Sequence, residues 1–285
     1  MVNVIATLKP LLHGLINIAG LTSQRVELEA GTVMTIWVPK QTIIINNNNT
    51  NTQPKNQTQK WNKPNRPVVV LAHPFSADGI LIKYSVYVPD FLFFGGSTTN
   101  TANRSATFQA ECLAKGLRKV GVDKCTLVGL SYGGMVGFKM AKLYPDLVDA
   151  MVVSSTVIEL TESITGECLD RLGFSSWSEL LLPETVEGVK LLFSIGNHKL
   201  PWLPDFLYRD FLEVMFINRK EKAQLLEALV VSDKDSTTPT YPQKATLEYI
   251  PNAGHLLQLE RPFAYNKHLK KILASIHGDG KPKHH

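Results

Sequence analysis

The sequence predicts an α/β domain built on a mostly parallel sheet with helices on both faces. Three observations favour it: short continuous apolar runs, amphipathic segments that alternate with them, and a glycine-flanked serine between one run and one segment. Such runs are typical of strands that are buried on both faces, and the alternation indicates parallel pairing through crossovers. The 285 residues, 44% hydrophobic and 19% charged, suffice for one large domain or for one domain with a smaller insert.

The first part of the chain carries most of these elements. Segments 25–29 and 33–38 flank Ala30, Gly31 and Thr32, a pattern that predicts a β-hairpin. Residues 46–66 are polar and predict a surface loop. Further strands are predicted at 68–71, 84–88, 125–128 and 150–154, and helices at 104–120 and 132–144.

The alternation stops after residue 156. Residues 157–240 are rich in large apolar side chains and predict a helical lid, inserted between core segments 1–156 and 241–285. The alternation resumes with a strand predicted at 245–250. An amphipathic helix over 262–276 closes the core, and Pro262 suits its first position.

The N-terminal segment has two interpretations. Residues 1–26 contain no acid, and a lysine, a proline, a histidine and a glycine interrupt the apolar run, unlike in a signal peptide. The favoured interpretation is an amphipathic helix docked on the protein; the alternative is a transit segment or a helix in peripheral contact with a membrane surface. The apolar residues at helical spacing are Leu8, Leu11, Leu12, Leu15 and Ile16.

The composition argues against several classes of protein. No apolar run reaches 18 residues, so no membrane-spanning helix is predicted. The net charge of +5 comes partly from the C-terminal tail, and no basic face with interleaved aromatic residues points to nucleic acid. Cys112, Cys125 and Cys168 have no metal-ligand spacing and cannot all pair, so we expect no metal site, no cofactor and a reducing, cytoplasmic compartment.

The strongest functional signal is Gly-x-Ser-x-Gly at 129–133, between a predicted strand and a predicted helix. A sharp strand-to-helix turn holds such a serine in a strained conformation, and Gly129 and Gly133 let neighbouring backbones pass closely. Ser131 would then be exposed at the carboxyl edge of the sheet. A structural glycine-rich turn with a helix-capping serine has the same short motif. The motif therefore predicts a nucleophile only because a predicted strand precedes it and a predicted helix follows it.

A serine hydroxyl needs a base to act as a nucleophile. His255 follows the last predicted strand and precedes the last predicted helix, so it can reach over the sheet edge to Ser131. The other histidines have no such placement. The pair Ser131 and His255 therefore predicts nucleophilic catalysis.

The chain resembles the plant α/β-hydrolase superfamily, in particular its lid-bearing serine hydrolases of epoxide-hydrolase-like or monoacylglycerol-lipase-like type. The resemblance spans about residues 20–276. Its matching stretches are Leu71-Ala72-His73-Pro74-Phe75, Tyr87-Val88-Pro89-Asp90, Phe93-Phe94-Gly95-Gly96-Ser97, the serine motif, and Asn252-Ala253-Gly254-His255 with Leu259-Glu260-Arg261-Pro262.

The resemblance implies an α/β-hydrolase fold and a role for each site residue. Ser131 would be the nucleophile, His255 the general base and acid, and the backbone N–H groups of Phe75 and Tyr132 the oxyanion hole. Pro74 stands where the family has glycine, which affects the direction of the Phe75 N–H. A true epoxide hydrolase of this fold has aspartate in place of Ser131, so serine implies ester chemistry.

Two connections are shorter than the family pattern, as if segments were deleted. Residues 76–83 and 236–244 each replace a crossover that needs about a dozen residues. The acid that orients His255 should lie before the second connection. Asp235 is the matching acid if 228–231 form a strand. If instead 225–231 continue the last lid helix, which the helix formers upstream favour, the acid-bearing strand is deleted and Glu159 is a remote substitute.

Two functions follow from these observations. The first is a serine hydrolase that cleaves a lipophilic carboxylic ester, since the lid is rich in apolar residues and small-molecule pockets are mostly apolar. The alternative is a catalytically weak or inactive protein of the same fold that binds a small lipophilic ligand.

Overall fold

A computed structural model describes residues 3–44, 61–72, 83–199, 201–236 and 245–278. Most of the predicted polar loop at 46–66 lies outside the described residues. So do His73, Pro74, Phe75 and nearly all of the two shortened connections. The elements below are those of the described residues.

The main sheet is mixed, with a parallel centre. Its strands run in the order β1-β2-β4-β3-β6-β7, and β5 pairs with β2. The β1–β2 hairpin is antiparallel, β2 pairs antiparallel with β4, and β4, β3, β6 and β7 are mutually parallel. The strands are β1 (Leu21–Glu29), β2 (Thr32–Pro39), β3 (Val68–Ala72), β4 (Ser85–Pro89), β5 (Thr98–Thr99), β6 (Cys125–Leu130) and β7 (Val148–Ser154).

The helices belong to the core or to the region predicted as the lid. The core helices are α1 (Val4–Ile18), α2 (Ala106–Lys119), α3 (Tyr132–Leu143), α9 (Leu257–Glu260) and α10 (Pro262–His277). The predicted lid region contains α4 (Glu162–Leu172), α5 (Trp177–Leu181), α6 (Val186–Gly196), α7 (Asp205–Met215) and α8 (Arg219–Glu227), with short strands β8 (Leu160–Thr161) and β9 (Val230–Val231).

Helices cover both faces of the parallel strands. On one face, α2 and α3 place Leu113, Leu117 and Met140 in the large core. On the other face, α10 packs Leu269 and Leu273 against a smaller cluster of strand residues. Each fully buried aliphatic side chain contributes about 1.5–3 kcal/mol to stability. The predicted fold class, a mostly parallel sheet with helices on both faces, is confirmed.

Local sequence signals set several helix boundaries. The hydroxyl groups of Ser105, Thr161 and Thr185 accept N–H hydrogen bonds in the first turns of α2, α4 and α6. Such caps satisfy N–H groups that have no acceptor inside the helix. Pro262 occupies the first turn of α10 as predicted, and Gly278 ends that helix with a φ of 76°.

The predicted strand at 245–250 is wrong. This stretch has no regular structure, and Leu247 and Tyr249 are 95% and 78% exposed. A strand there would need a neighbouring strand beside β7, and β9 instead forms a separate two-stranded parallel sheet with β8. Within the described residues, β7 is therefore the last strand on that side of the main sheet.

Neither interpretation of 225–231 is fully correct. Helix α8 ends at Glu227, and only Val230–Val231 form a strand. The helix therefore ends before residue 231, and the short strand pairs with β8 and not with a strand of the main sheet. The connection from β9 back towards the sheet begins at the turn that holds Asp233 and Asp235.

The predicted N-terminal helix exists and is docked on the protein, although its residues Leu8, Leu11, Leu12 and Leu15 are exposed. The backbone N–H of Val4 donates to the Asp210 carboxylate at 2.6 Å, and the His13 ring contacts Trp37 edge-on at 5.0 Å. None of the α1 residues is buried. No helix in the described residues is long and apolar enough to cross a membrane.

Candidate active site

Ser131 lies at a sharp turn between β6 and α3. Its φ of 51° and ψ of −120° lie in a region that a residue with a side chain rarely adopts. Such a conformation costs about 1–3 kcal/mol and persists only where the surroundings impose it. Here the Ser131 N–H donates to the Ser154 carbonyl at 3.1 Å, and its carbonyl accepts from Gly134 N at 2.9 Å and Thr156 Oγ1 at 2.8 Å.

Glycines around Ser131 allow three backbones to meet. A Cβ on Gly129 would lie 2.8 Å from the Gly133 carbonyl oxygen, and a Cβ on Gly133 would lie 2.4 Å from that of Ala72. Both distances are shorter than real side chains tolerate. The end of β3, the end of β6 and the first turn of α3 can therefore pack together only with glycine at these two positions.

Tyr132 anchors the first turn of α3. Its ring stacks edge-on against Phe91 at 5.5 Å and lies 6.2 Å from Phe94. Burial raises the pKa of the Tyr132 phenol. The anchored ring fixes the backbone of Tyr132 at the first position of α3, where helix N–H groups have no acceptor inside the helix.

Of the two predicted oxyanion residues, the structure describes only Tyr132. It occupies the first position of α3, directly after Ser131, and its oxyanion role stays a prediction. Phe75 lies outside the described residues. What the structure does describe is the end of β3, which contacts the α3 first turn through Ala72 and Gly133.

His255 lies in a loop that packs against the end of α6. Its N–H donates to the Gly196 carbonyl at 2.8 Å. A Cβ on Gly254 would lie 2.7 Å from both the Gly196 oxygen and Asn197 Cα, so this position has no room for a side chain. Asn252 has a left-handed φ of 55°, and its carbonyl accepts from Arg261 Nε at 2.9 Å.

Glu260 connects this loop to the region predicted as the lid. Its carboxylate accepts from Gly254 N at 2.5 Å and from Lys199 N at 2.9 Å. Burial acts to raise the pKa of Glu260, but these N–H groups and that of His198 outweigh it and hold the pKa below its ordinary value. An ionised Glu260 therefore sets the path of the chain just before His255.

The His255 ring is suited to accept a proton. Desolvation lowers its pKa, because packing around the ring disfavours the charged imidazolium, although the residue as a whole is exposed. A neutral imidazole at pH 7 is the form that a general base needs. Within the described residues, no hydrogen bond joins the His255 ring to the Ser131 hydroxyl.

The structure describes the carboxylates considered as the triad acid. Asp235 is exposed in a turn in which its N–H donates to the Ser232 carbonyl at 3.0 Å. Asp233 accepts from Ser163 Oγ at 2.7 Å.

Glu159 is the best-buried of these carboxylates. It pairs with Lys139 and accepts from Ser236 Oγ at 3.1 Å. Burial acts to raise its pKa, but the Lys139 ammonium outweighs this and holds the pKa below its usual range. Among the described residues, neither Asp235 nor Glu159 makes a hydrogen bond to the His255 ring.

Sequence reasoning missed two residues that shape the site. The hydroxyl of Thr156 donates to the Ser131 carbonyl, and the only sequence signal for this residue is its place two residues after β7. Glu260 lies in one of the stretches that carry the family resemblance, but the sequence did not predict that it contacts Gly254. The described residues contain no group of three or more potential metal ligands, and the three cysteines are free thiols.

The comparisons with known proteins agree with this architecture. A family model described as the alpha/beta hydrolase fold matches residues 61–182, which include β3, β6 and the Ser131 turn. A search of curated protein sequences returned no significant match.

Solved structures extend the similarity over most of the chain. A membrane phospholipase A, described as a bacterial virulence factor, has a TM-score of 0.69 at 18% identity, over 95% of this chain and 92% of its own. A 2-hydroxy-6-oxo-6-phenylhexa-2,4-dienoate hydrolase from Rhodococcus sp. strain RHA1 has 0.62 at 16%, over 88% and 98%. The epoxide hydrolase CorEH has 0.58 at 13%, over 90% and 99%. The chain therefore has the α/β-hydrolase fold.

Proposed function

We propose that the protein is a serine hydrolase that cleaves lipophilic carboxylic esters, with Ser131 as the nucleophile and His255 as the base. The observation that carries the proposal is the strained turn at Ser131, which the three hydrogen bonds described above and two obligatory glycines maintain. A strained serine at the carboxyl end of a central strand, beside a helix N-terminus, is the arrangement that exposes a nucleophile.

The proposed reaction has two acyl-transfer steps. Ser131 Oγ attacks the ester carbonyl carbon while His255 takes the hydroxyl proton. The negative charge that develops on the carbonyl oxygen is stabilised by the Tyr132 N–H and by that of Phe75, which the family resemblance implies. His255 then gives its proton to the departing alcohol, and an acyl-serine forms. Water, deprotonated by His255, attacks the acyl carbon of the acyl-serine. The bond to Ser131 Oγ breaks, His255 returns the proton to that oxygen, and the carboxylic acid is released.

The apolar character of the lid region supports a lipophilic substrate. Phe193 lies 4.9 Å from Phe211 and 5.8 Å from Tyr208, so α6 and α7 meet through aromatic rings. The end of α6 also holds the His255 loop through Gly196. A substrate that contacts these helices would therefore lie close to the proposed base.

A second candidate function is a small-ligand binding protein with weak or no catalysis. The observation that favours it is the position of the acids: Asp235 is exposed, and Glu159 is engaged by Lys139. A histidine without a carboxylate partner loses the group that selects its tautomer and stabilises its charged form.

Labelling with a fluorophosphonate probe separates the two functions. The hydrolase proposal expects covalent labelling of the parent protein and its loss in Ser131→Ala. Ser155→Ala is the matched control, because Ser155 also has a left-handed φ, of 48°, but does not begin a helix. Labelling that persists in Ser131→Ala would overturn the proposal, and an unlabelled but folded parent protein would favour the binding function.

A further inference from the structure

A buried carboxylate from the region predicted as the lid lies at the N-terminus of α1. Asp210 belongs to α7, and only 7% of its surface is exposed. Its Oδ2 accepts from the backbone N–H of Val4, the first residue of α1, at 2.6 Å. The first N–H groups of a helix have no acceptor inside the helix, and the helix dipole favours a negative charge there. Because a buried carboxylate is unfavourable unless it is hydrogen-bonded, this contact fixes α7 to the start of α1.

Helix α1 connects α7 to the main sheet. Asn3 caps α1 by accepting from Ala6 N at 2.8 Å, and its amide nitrogen donates to the Asp210 carbonyl at 3.2 Å. Further along the helix, the His13 ring contacts Trp37 of β2 edge-on, and α1 also packs against β1. The N-terminal end of α1 is therefore joined to α7, and the rest of the helix is joined to the sheet.

The position of α7 affects that of α6. Among the described helices and strands, α7 packs mainly against α1 and α6. Phe211, directly after Asp210, lies 4.9 Å from Phe193 of α6, and Tyr208 lies 5.8 Å from the same ring. Closely packed side chains leave little room for one helix to move without the other. A shift of α7 would therefore move α6 as well.

The end of α6 in turn holds the His255 loop. The Gly196 carbonyl accepts from the backbone N–H groups of His255 at 2.8 Å and of Leu256 at 3.4 Å. Gly254 packs so closely on this carbonyl that it has no room for a side chain. A continuous series of contacts thus leads from the sheet through α1, α7 and α6 to the backbone of His255.

We propose that Asp210 is a positioning residue for His255. By accepting the first N–H of α1, it holds α7 and α6, and with them the His255 loop, in place relative to the main sheet. Asp210 itself touches no reacting atom. The effect on catalysis rests on the proposed hydrolase function, whereas the effect on the His255 loop is expected for either candidate function.

Val4→Pro in the full chain tests the contact by removing its donor. Proline fits the first position of a helix, and Asn3 already has the extended ψ of 111° that a residue before proline adopts. Hydrogen–deuterium exchange of the His255 amide should become at least about fivefold faster, because its acceptor is Gly196 of α6. Exchange in β6, at residues 125–130, should stay the same. Val4→Ala is the matched control, because it keeps the N–H and should not change either rate.

Substitutions of the carboxylate test the same contact from α7. Asp210→Ala should resemble Val4→Pro, and the double variant should show little further change, since both remove one interaction. Each should slow fluorophosphonate labelling of Ser131 about tenfold, the scale of a misplaced catalytic group. Asp210→Asn keeps an oxygen acceptor and should restore most of the rate. Asp205→Ala removes an exposed carboxylate of the same helix that pairs with Lys190, and should change the rate less than about twofold.

The two measurements separate this proposal from the proposed function. Exchange is measured without substrate, so a folded parent protein that the probe does not label contradicts the hydrolase function alone. Unchanged exchange at His255 in Val4→Pro and Asp210→Ala would overturn the positioning role. So would faster exchange at an unchanged labelling rate, or equal effects of Asp205→Ala and Asp210→Ala. If Val4→Pro also speeds exchange in β6, it has disturbed the whole fold, and the Asp210 variants decide.

Discussion

The two halves of the candidate site are held in different ways. Ser131 lies at the carboxyl end of β6, an internal strand of the sheet, where β7 and α3 constrain its backbone and β3 packs against the first turn of α3. His255 lies beyond the last strand, in a loop whose described contacts are with the end of α6 and with Glu260. The backbone of the serine is thus fixed by the core, whereas that of the histidine is fixed through the region predicted as the lid.

Because of this difference, substitutions at the Ser131 turn and in the His255 loop should affect stability and activity differently. A change at the Ser131 turn disturbs backbones that are already packed at their closest approach, so it should affect folding first. A change at the His255 loop leaves the sheet intact, so it should alter catalysis more than stability. Substitutions in the two halves can therefore be compared by one measurement of unfolding and one of turnover.

The largest expected effect is on folding, from Gly133→Ala. The new Cβ would meet the Ala72 carbonyl oxygen at 2.4 Å, and neither backbone can move away easily. We expect a loss of about 3 kcal/mol in the free energy of unfolding, measured in urea. Gly166→Ala in α4 is the control, because its Cβ would meet nothing within 4 Å. It should be neutral or stabilising by about 1 kcal/mol, and equal effects at the two glycines would contradict the account.

Glu260→Ala should act mainly on turnover. It removes the acceptor for the N–H groups of Gly254 and Lys199 and so loosens the path to His255. We expect about a tenfold fall in kcat, since small misplacements of a catalytic group are costly, with about 1 kcal/mol of lost stability. Glu248→Ala removes an acid that contacts Lys271 and His268 instead. If it lowered turnover as much, Glu260 would have no special role.

The pH profile should reflect the desolvated histidine. Only neutral His255 can take the Ser131 proton, and desolvation lowers the pKa of the ring. We therefore expect kcat/KM to stay constant down to a midpoint below the ordinary value of about 6.5 and then to fall about tenfold per pH unit. His268→Gln should leave this midpoint unchanged. A midpoint above 6.5 would mean that a carboxylate partner stabilises the charged ring.

The smallest expected effect is that of Asp235→Asn. Asp235 is exposed in a turn, and its side chain has no hydrogen-bond partner among the described residues. Turnover should change less than about threefold, whereas neutralising a true triad acid costs about 10⁴-fold. A loss of the larger size, with an unchanged circular dichroism spectrum, would show that Asp235 orients His255.

The parts of the molecule that the sequence predicts well are those set by local rules. Runs such as 68–71 need burial on both faces, and the motif at 129–133 needs glycine beside a strained serine, so both are readable without tertiary information. The strand at 245–250 was predicted from its pattern alone and fails, because a strand also needs a neighbour. The exposure of Leu8, Leu11, Leu12 and Leu15 on α1 could not be predicted from periodicity, which identifies the apolar face of a helix but not the residues packed against it.

The central claim is that Ser131 and His255 act together, and the rate of fluorophosphonate labelling tests it most directly. The account predicts that the adduct maps to Ser131 by peptide mass spectrometry. It also predicts that His255→Asn lowers the second-order labelling rate at least about 100-fold, the scale of a lost general base. A Ser131 adduct that forms at the parent rate in His255→Asn would contradict the claim.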